Sequence, residues 1–238
     1  MNTTNRPPQY FGKDLETMYF AKNYHKWILD EFAPYLGNVI AEIGAGTGNF
    51  SSFLIKKGVE HLIAFEPSNN MFPLLNDRLG KDNKVKTINA FFRDKAHQYE
   101  NTFDSVLYVN VLEHIEDDKN ELSYAYKTVK GKGHLLIFVP ALSFLYSDLD
   151  KKVGHYRRYH KQELVELIQS AGFSIKKVKY FDISGIIPWY FAFVLFKKTT
   201  TEGNVSLYDR LIVPVMRKFE GIITPIIGKN LLLVAQKA

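Results

Sequence analysis

The stretch Asn38–Phe50, NVIAEIGAGTGNF, constrains the fold more than any other part of the chain. An apolar run ends in Glu42, and Gly44, Gly46 and Gly48 then stand on alternate positions. A run of that length reads as a buried strand, and glycines just beyond it let the backbone approach a ligand closely. The dinucleotide fingerprint asks for Gly-x-Gly-x-x-Gly, whereas here the third glycine comes one residue early. Glu42 would repel a pyrophosphate and suits a cationic ligand; the plainer reading, a carboxylate capping the amides of the loop, is compatible with that. Glu66 closes the next apolar run, HLIAFE, at the distance expected of an acceptor for ribose hydroxyls.

Strand-like and helix-like segments alternate onward from this loop, the pattern of a parallel sheet covered on both faces. Strands are expected at NVIAEI, HLIAFE, KVKTINA, FDSVLYVN, GHLLIFVP, FSIKKVKYFD and LLLVAQKA. Helices are expected over NFSSFLIKKG, ended by Gly58, and over SNNMFPLLNDRLG, with Ser68 as N-cap, Pro73 near the first turn and Gly80 at the end. Two more are expected over DDKNELSYAYKTVKG, stopped by Gly131, and KQELVELIQSAG. Residues 183–228 break the pattern and read as an insertion before the last strand. The expected organisation is a single domain over 1–238: an N-terminal helical segment (1–37), a ligand-binding core (38–182), an insertion or lid (183–228) and a final strand (229–238).

Hydrophobic residues make up 46% of the chain and charged ones 24%, a balance that fits an ordinary globular domain with a sizeable core. The absence of cysteine excludes disulfides, thiol nucleophiles and thiolate metal sites. MNTTNRPPQYFGKDLE holds no apolar core of signal-peptide length, so a cytoplasmic protein is expected. A net charge of +6 favours anionic partners such as phosphates or lipid surfaces. Lysine pairs such as Lys56–Lys57, Lys176–Lys177 and Lys197–Lys198 are scattered and read as solvated faces, which disfavours nucleic acid as a partner.

The E-x-G-x-G-x-G loop, the acid ending the next strand and NVLEHI after the fourth strand together resemble the class I S-adenosylmethionine-dependent methyltransferases. That resemblance implies an α/β, Rossmann-like fold: a seven-stranded, mostly parallel sheet with helices on both faces and an antiparallel last strand. It implies S-adenosylmethionine as cofactor and S-adenosylhomocysteine as product. Gly44, Ala45, Gly46 and Gly48 would contact the methionine part, beside Glu42. Glu66 would hold both ribose hydroxyls, with Pro67 and Ser68 near the adenosine. Asn89 and Ala90 stand where the family reads the adenine ring, Asn89 in place of the aspartate of many members. Asn110 and Val111 would line the floor beside the sulfonium. Glu113 and His114 of LEHI read either as an exposed helix start or as catalytic groups.

After the fifth strand comes VPALSFLYSDLDKKVGHYRRYHKQEL, dense in titratable and aromatic groups. Loops leaving the carboxyl ends of strands face the ligand crevice in open α/β sheets. This run resembles a bacterial branch of the family with a GH.RRY segment, often encoded near or fused to glycosyltransferases; Asp150, Gly154, His155, Arg157, Arg158 and Tyr159 carry the match. His155 is the candidate general base and Asp150 its orienting carboxylate, with Asp148 and His114 in reserve. Tyr146, Arg157, Arg158 and Tyr159 are candidate acceptor-binding residues, the arginines as forks for an anionic group; a surface ion pair and a core aromatic are the plainer readings. Gly154 reads as a turn residue. No metal is expected, since Asp148 and Asp150 alone do not make a site.

Residues 110–113 are Asn-Val-Leu-Glu, without the (Asn/Asp)-Pro-Pro-aromatic motif of enzymes that methylate nucleobase amino groups. The expected reaction is methyl transfer to a hydroxyl or carboxyl of a small-molecule, saccharide or lipid-linked acceptor. The rival is a non-catalytic module that keeps the fold and binds a nucleotide or a partner; a nicotinamide dehydrogenase is disfavoured by Glu42 and the glycine spacing. In the insertion, Trp189, Tyr190, Phe191 and Phe193 flanked by Lys197–Lys198 read as a peripheral membrane contact or as a hydrophobic lid or dimer face.

Overall fold

Alternation within the strands sorts the core into two layers. Ala41, Ile43, Val106, Tyr108, Leu135 and Ile137 face one hydrophobic cluster. Their neighbours Ile40, Leu107, Leu136 and Phe138 face the other. Side chains on a strand point to opposite faces with period two, so near-continuous apolar runs such as VIAEI need cover on both sides. The computed structural model describes residues 21–197 and 202–238. Residues 1–20 of the expected N-terminal helical segment, and Lys198, lie outside the described residues.

The strands are β1 (Val39–Ile43), β2 (His61–Phe65), β3 (Val85–Ile88), β4 (Phe103–Val109), β5 (Val129–Pro140), β6 (Phe173–Phe181) and β7 (Asn230–Lys237). They form one seven-stranded sheet in the order β3-β2-β1-β4-β5-β7-β6. β1 pairs in parallel with both β2 and β4, while β7 runs antiparallel between β5 and β6. The fold is therefore Rossmann-like, mostly parallel and closed by an antiparallel last strand. Chain order reverses between β1 and β4, and a crevice opens there at the carboxyl ends of the strands.

The helices that matter for the site are α1 (Lys22–Phe32), α2 (Asn49–Lys56), α3 (Phe72–Leu79), α4 (Phe92–Lys95), α5 (Asp118–Thr128), α6 (Asp148–Val153) and α7 (Lys161–Ser170). α3 starts later than its sequence suggests: its N-cap is Met71, with Pro73 in the first turn. Ser68 does not cap it: it stands three positions before the cap, and its hydroxyl donates to the Asn70 side chain at 2.5 Å. α5 ends at Thr128 rather than at Gly131, since Val129 already pairs with Phe103 in the sheet. α6 lies within the segment read as a loop after β5. Ser147 and Asp150 form its capping box, and Gly154 ends it at φ +87°, a conformation that favours glycine.

Between β6 and β7 the chain forms α8 (Ile186–Trp189), a π-helical turn (Tyr190–Leu195), α9 (Glu202–Leu211) and α10 (Val213–Ile222). Two buried carboxylates fasten this segment. Asp209 of α9 accepts the amides of Asn23 and Tyr24 at 3.0 and 2.8 Å, capping the first turn of α1. Asp182 accepts from the Tyr24 and Tyr208 hydroxyls at 3.2 and 2.6 Å and pairs with Lys229 at 3.0 Å.

Candidate active site

A cavity of about 1060 Å³ occupies the crevice at the ends of β1 and β4. One end is built by the glycine loop. Gly44 has φ +66°, and a Cβ there would lie 2.7 Å from Val111 Cγ2, so loop and floor are in contact only because the side chain is missing. Gly48 also has positive φ, but its missing Cβ makes room for Leu75 and Leu79 of α3 instead. Glu66 is buried and accepts the Gly46 amide at 2.7 Å and the Ser68 amide at 2.8 Å, one on each oxygen. Burial raises its pKa, against the pull of those two amides. Glu42 accepts from the Ser51 hydroxyl at 2.5 Å. Its burial, aided by the charge of Glu66 and opposed by Ser51, pushes its pKa up to about 8.

Glu42, Gly44, Ala45, Gly46, Glu66, Pro67, Ala90, Asn110 and Val111 line the cavity. Asn110 sits at φ +54°, a left-handed conformation that asparagine tolerates, and its amide donates to Phe138 at the end of β5. Gly48 and Asn89 are not among the lining residues. Asn89 instead donates its side-chain amide to the Glu66 carbonyl at 2.9 Å, tying the ends of β2 and β3 together.

The other end is built by α6 and the segment after it. Asp150 Oδ1 lies 2.9 Å from His155 Nδ1. Arg158 holds the same carboxylate through Nε at 3.0 Å and Nη2 at 3.2 Å. Burial acts to raise the Asp150 pKa; His155 and Arg158 outweigh it and hold the carboxyl below its usual value. The Arg158 guanidinium also lies 4.7 Å from the ring centre of Trp189, which lines the cavity. Trp189 donates its indole N–H to Leu145, so it faces inward, unlike its exposed neighbours Tyr190 and Phe191.

Tyr146, Arg157 and Tyr159 stand outside the cavity lining. Tyr146 donates to the His155 carbonyl at 2.6 Å. Arg157 pairs with Asp118, and the Tyr159 hydroxyl donates to the same carboxylate at 2.8 Å. Asp148 is exposed and pairs with Lys197 at 3.2 Å.

From the sequence, Glu113 and His114 stand either at an exposed helix start or among the catalytic groups. Both line the cavity, and Glu113 is fully buried in the 3-10 turn Leu112–His114. Neither of its carboxylate oxygens meets a hydrogen-bond partner from another residue. Burial pushes its pKa up to about 7, against the pull of His155. His114 packs edge-on against His155, ring centres 4.5 Å apart, and burial next to that second imidazole lowers its pKa to about 4. Tyr24, Lys229 and Asn230 also reach the cavity, brought there by the clamp on the insertion. Nothing in the local sequence marks those three.

A bare main-chain loop, two buried carboxylates and a cavity extending past them to an Asp–His pair define an S-adenosylmethionine-dependent methyltransferase site on a class I fold. Glu66 fits the ribose: each of its oxygens accepts one amide and keeps a lone pair for a hydroxyl donor. A protein-family model described as a methyltransferase domain matches residues 19–178, well over half of the chain, and the protein belongs to that family. A methyltransferase structure from Archaeoglobus fulgidus is similar at a TM-score of 0.62 and 18% identity, covering 94% of this chain and 99% of that one. One from Mesorhizobium loti is similar at 0.63 and 15%, covering 92% and 100%. A Haemonchus contortus phosphoethanolamine N-methyltransferase with bound S-adenosylhomocysteine gives 0.62 and 17%, covering 94% of this chain and 57% of that one. At these identities the structural likeness speaks to the fold. A search of curated protein sequences finds no match.

Proposed function

We propose that the protein methylates a hydroxyl or carboxyl of a small-molecule, saccharide or lipid-linked acceptor held against His155. The observation that carries this reading is the Asp150–His155 contact of 2.9 Å on the wall of the same cavity that the glycine loop lines. S-adenosylmethionine supplies a sulfonium methyl that is already activated. Gly44, Ala45 and Gly46 hold its methionine part, Glu66 its ribose, and Pro67 and Ala90 lie by the adenosine. Glu42, Asn110 and Val111 shape the end nearest the reacting centre. Asp150 accepts from Nδ1–H, which leaves the lone pair on Nε2 to take the acceptor's proton. Arg158 has its donors committed to Asp150 and to the Ala141 carbonyl, so it acts as a positioning residue and not as an anion clamp. Trp189 and Tyr24 help keep water from the site.

His155→Ala tests the assignment. Turnover with labelled S-adenosylmethionine and a cell extract as acceptor source should fall about a hundred- to ten-thousandfold, while affinity for S-adenosylhomocysteine stays at the wild-type value. Equal turnover in both proteins removes His155 from the role.

The lipid-linked alternative draws support from the insertion. Leu207, Leu211, Val215, Phe219, Ile222 and Ile226 are exposed, Ile222 at 85% and Ile226 at 91%. Arg210 and Lys218 are exposed among them. Apolar residues interleaved with basic ones match an anionic membrane surface better than a water-facing helix. Among the described residues, no helix is long and apolar enough to cross a membrane. Flotation with anionic vesicles should carry the wild-type protein upward and leave a Val215→Glu/Ile222→Glu variant at the bottom of the gradient. Equal distribution of the two proteins would count against the membrane contact.

A further inference from the structure

Glu113 is the least expected group in the molecule. It is a carboxylate buried from solvent with neither oxygen hydrogen-bonded to another residue. An unpaired buried carboxylate is costly, and such groups persist where a ligand completes them. Two imidazoles stand beside it. Ligand atoms of Glu113, His114 and His155 all lie within 4.8 Å of one another, and His155 Nε2 is 3.9 Å from Glu113 Oε1.

The His155 ring is already oriented as a metal-bound histidine is. His155 Nδ1 is held by Asp150 at 2.9 Å, the carboxylate–histidine arrangement that sets the tautomer and aims Nε2 at a metal. The His114 ring is held by the backbone of Val153 and Gly154. Arg158 reaches the same Oδ1 through Nη2 at 2.9 Å, and together with His155 it holds the Asp150 carboxyl below its usual pKa. Two imidazoles and one carboxylate form a donor set for first-row divalent ions, with room left for an exogenous ligand. Such ions draw their ligands to about 2.0–2.2 Å, which sets the donors roughly 3–3.5 Å apart. The separations here need to close by about an ångström.

We propose that Glu113, His114 and His155 bind one first-row divalent cation, Zn²⁺ in preference to Mg²⁺, with the acceptor side of the cavity as its open position. The inference goes beyond the proposed methyl transfer and shares one atom with it. A cation on His155 Nε2 takes the lone pair that proton transfer needs. In the loaded protein an acceptor hydroxyl then ligates the cation, is acidified there and releases its proton to water in the cavity.

The test is calorimetric titration of Zn²⁺ into full-length, untagged protein, repeated with Co²⁺ and followed by visible absorption. The expected result is one equivalent bound, with a Co²⁺ spectrum of low coordination number. Glu113→Gln keeps the shape of the side chain and should abolish the stoichiometric phase, as should His114→Ala. Asp150→Asn should weaken binding about 10–100-fold. His97→Ala, a change at an exposed histidine away from the cavity, should leave it unaltered. Binding that survives in Glu113→Gln and His114→Ala, or no binding beyond that of those variants, overturns the proposal. Titration of S-adenosylhomocysteine into the same samples separates the two readings. Cofactor binding without Zn²⁺ binding sinks the cation site alone, whereas absent cofactor binding sinks the methyl-transfer reading itself.

Discussion

Arg158 straddles the carboxylate of Asp150, Nε to Oδ1 at 3.0 Å and Nη2 to Oδ2 at 3.2 Å, and both side chains are buried. Removing the cation strands a buried charge, which costs about 3–5 kcal/mol. Arg158→Met should therefore lower unfolding stability by about that amount in urea titrations with an unchanged m-value. A loss of a few tenths of a kcal/mol would mean that Asp150 is neutral or solvated without its partner.

Glu66→Gln keeps the side chain's size but turns an amide donor toward the Gly46 or Ser68 N–H. One carboxylate hydrogen bond to ribose is also lost, worth about 1.5–3 kcal/mol for a charged partner. Calorimetry should show affinity for S-adenosylhomocysteine reduced roughly 10–100-fold. Wild-type affinity would remove Glu66 from the ribose contact.

The contact between loop and floor can be tested by a double-mutant cycle. Gly44→Ala meets Val111 Cγ2 at 2.7 Å and Cγ1 at 2.9 Å, besides adopting φ +66° with a side chain. The backbone part costs about 1–2 kcal/mol. Val111→Ala removes the clash and leaves the backbone cost, so adding it to Gly44→Ala should recover part of the lost stability. Strict additivity of the two changes would show that the pair does not touch.

Glu42 makes ligand-free stability depend on pH. Unfolded, it releases its proton near 4.5; folded, it keeps it until about 8. Between those values the folded state binds more protons, so stability falls as pH rises through this window. The contribution is complete below 4.5 and lost above about 8. Glu42→Gln should flatten this part of the stability–pH profile measured by urea denaturation. An unchanged profile would place the titration elsewhere.

Much of the cofactor end was legible because its residues are neighbours in sequence. The strand–glycine–helix unit and the acid one strand later are short-range features, each set by local backbone demands such as the positive φ of Gly44 and Gly46. Asn89 shows where short-range reading stops: its position in the chain follows from sequence, but that its amide meets the Glu66 carbonyl depends on how β2 and β3 meet. Arg157 and Tyr159 read as acceptor contacts from their place after a strand end, yet they take the plainer readings, an ion pair and a core aromatic, and both turn to Asp118, about forty positions earlier in the chain.

Periodicity and turn chemistry were enough to lay out the strand-like runs and the glycine loop, and the family resemblance pointed to the seven-stranded sheet, to Glu66 and to the Asp150–His155 pair, whose two members are only five positions apart. Tertiary packing was needed to bury Glu113 without a partner beside two imidazoles and to turn Arg158 inward onto Asp150. The same holds for Asp209, which reaches back 186 positions to cap α1. Burial and long-range pairing depend on which distant surfaces meet, and no local pattern of residues encodes that meeting.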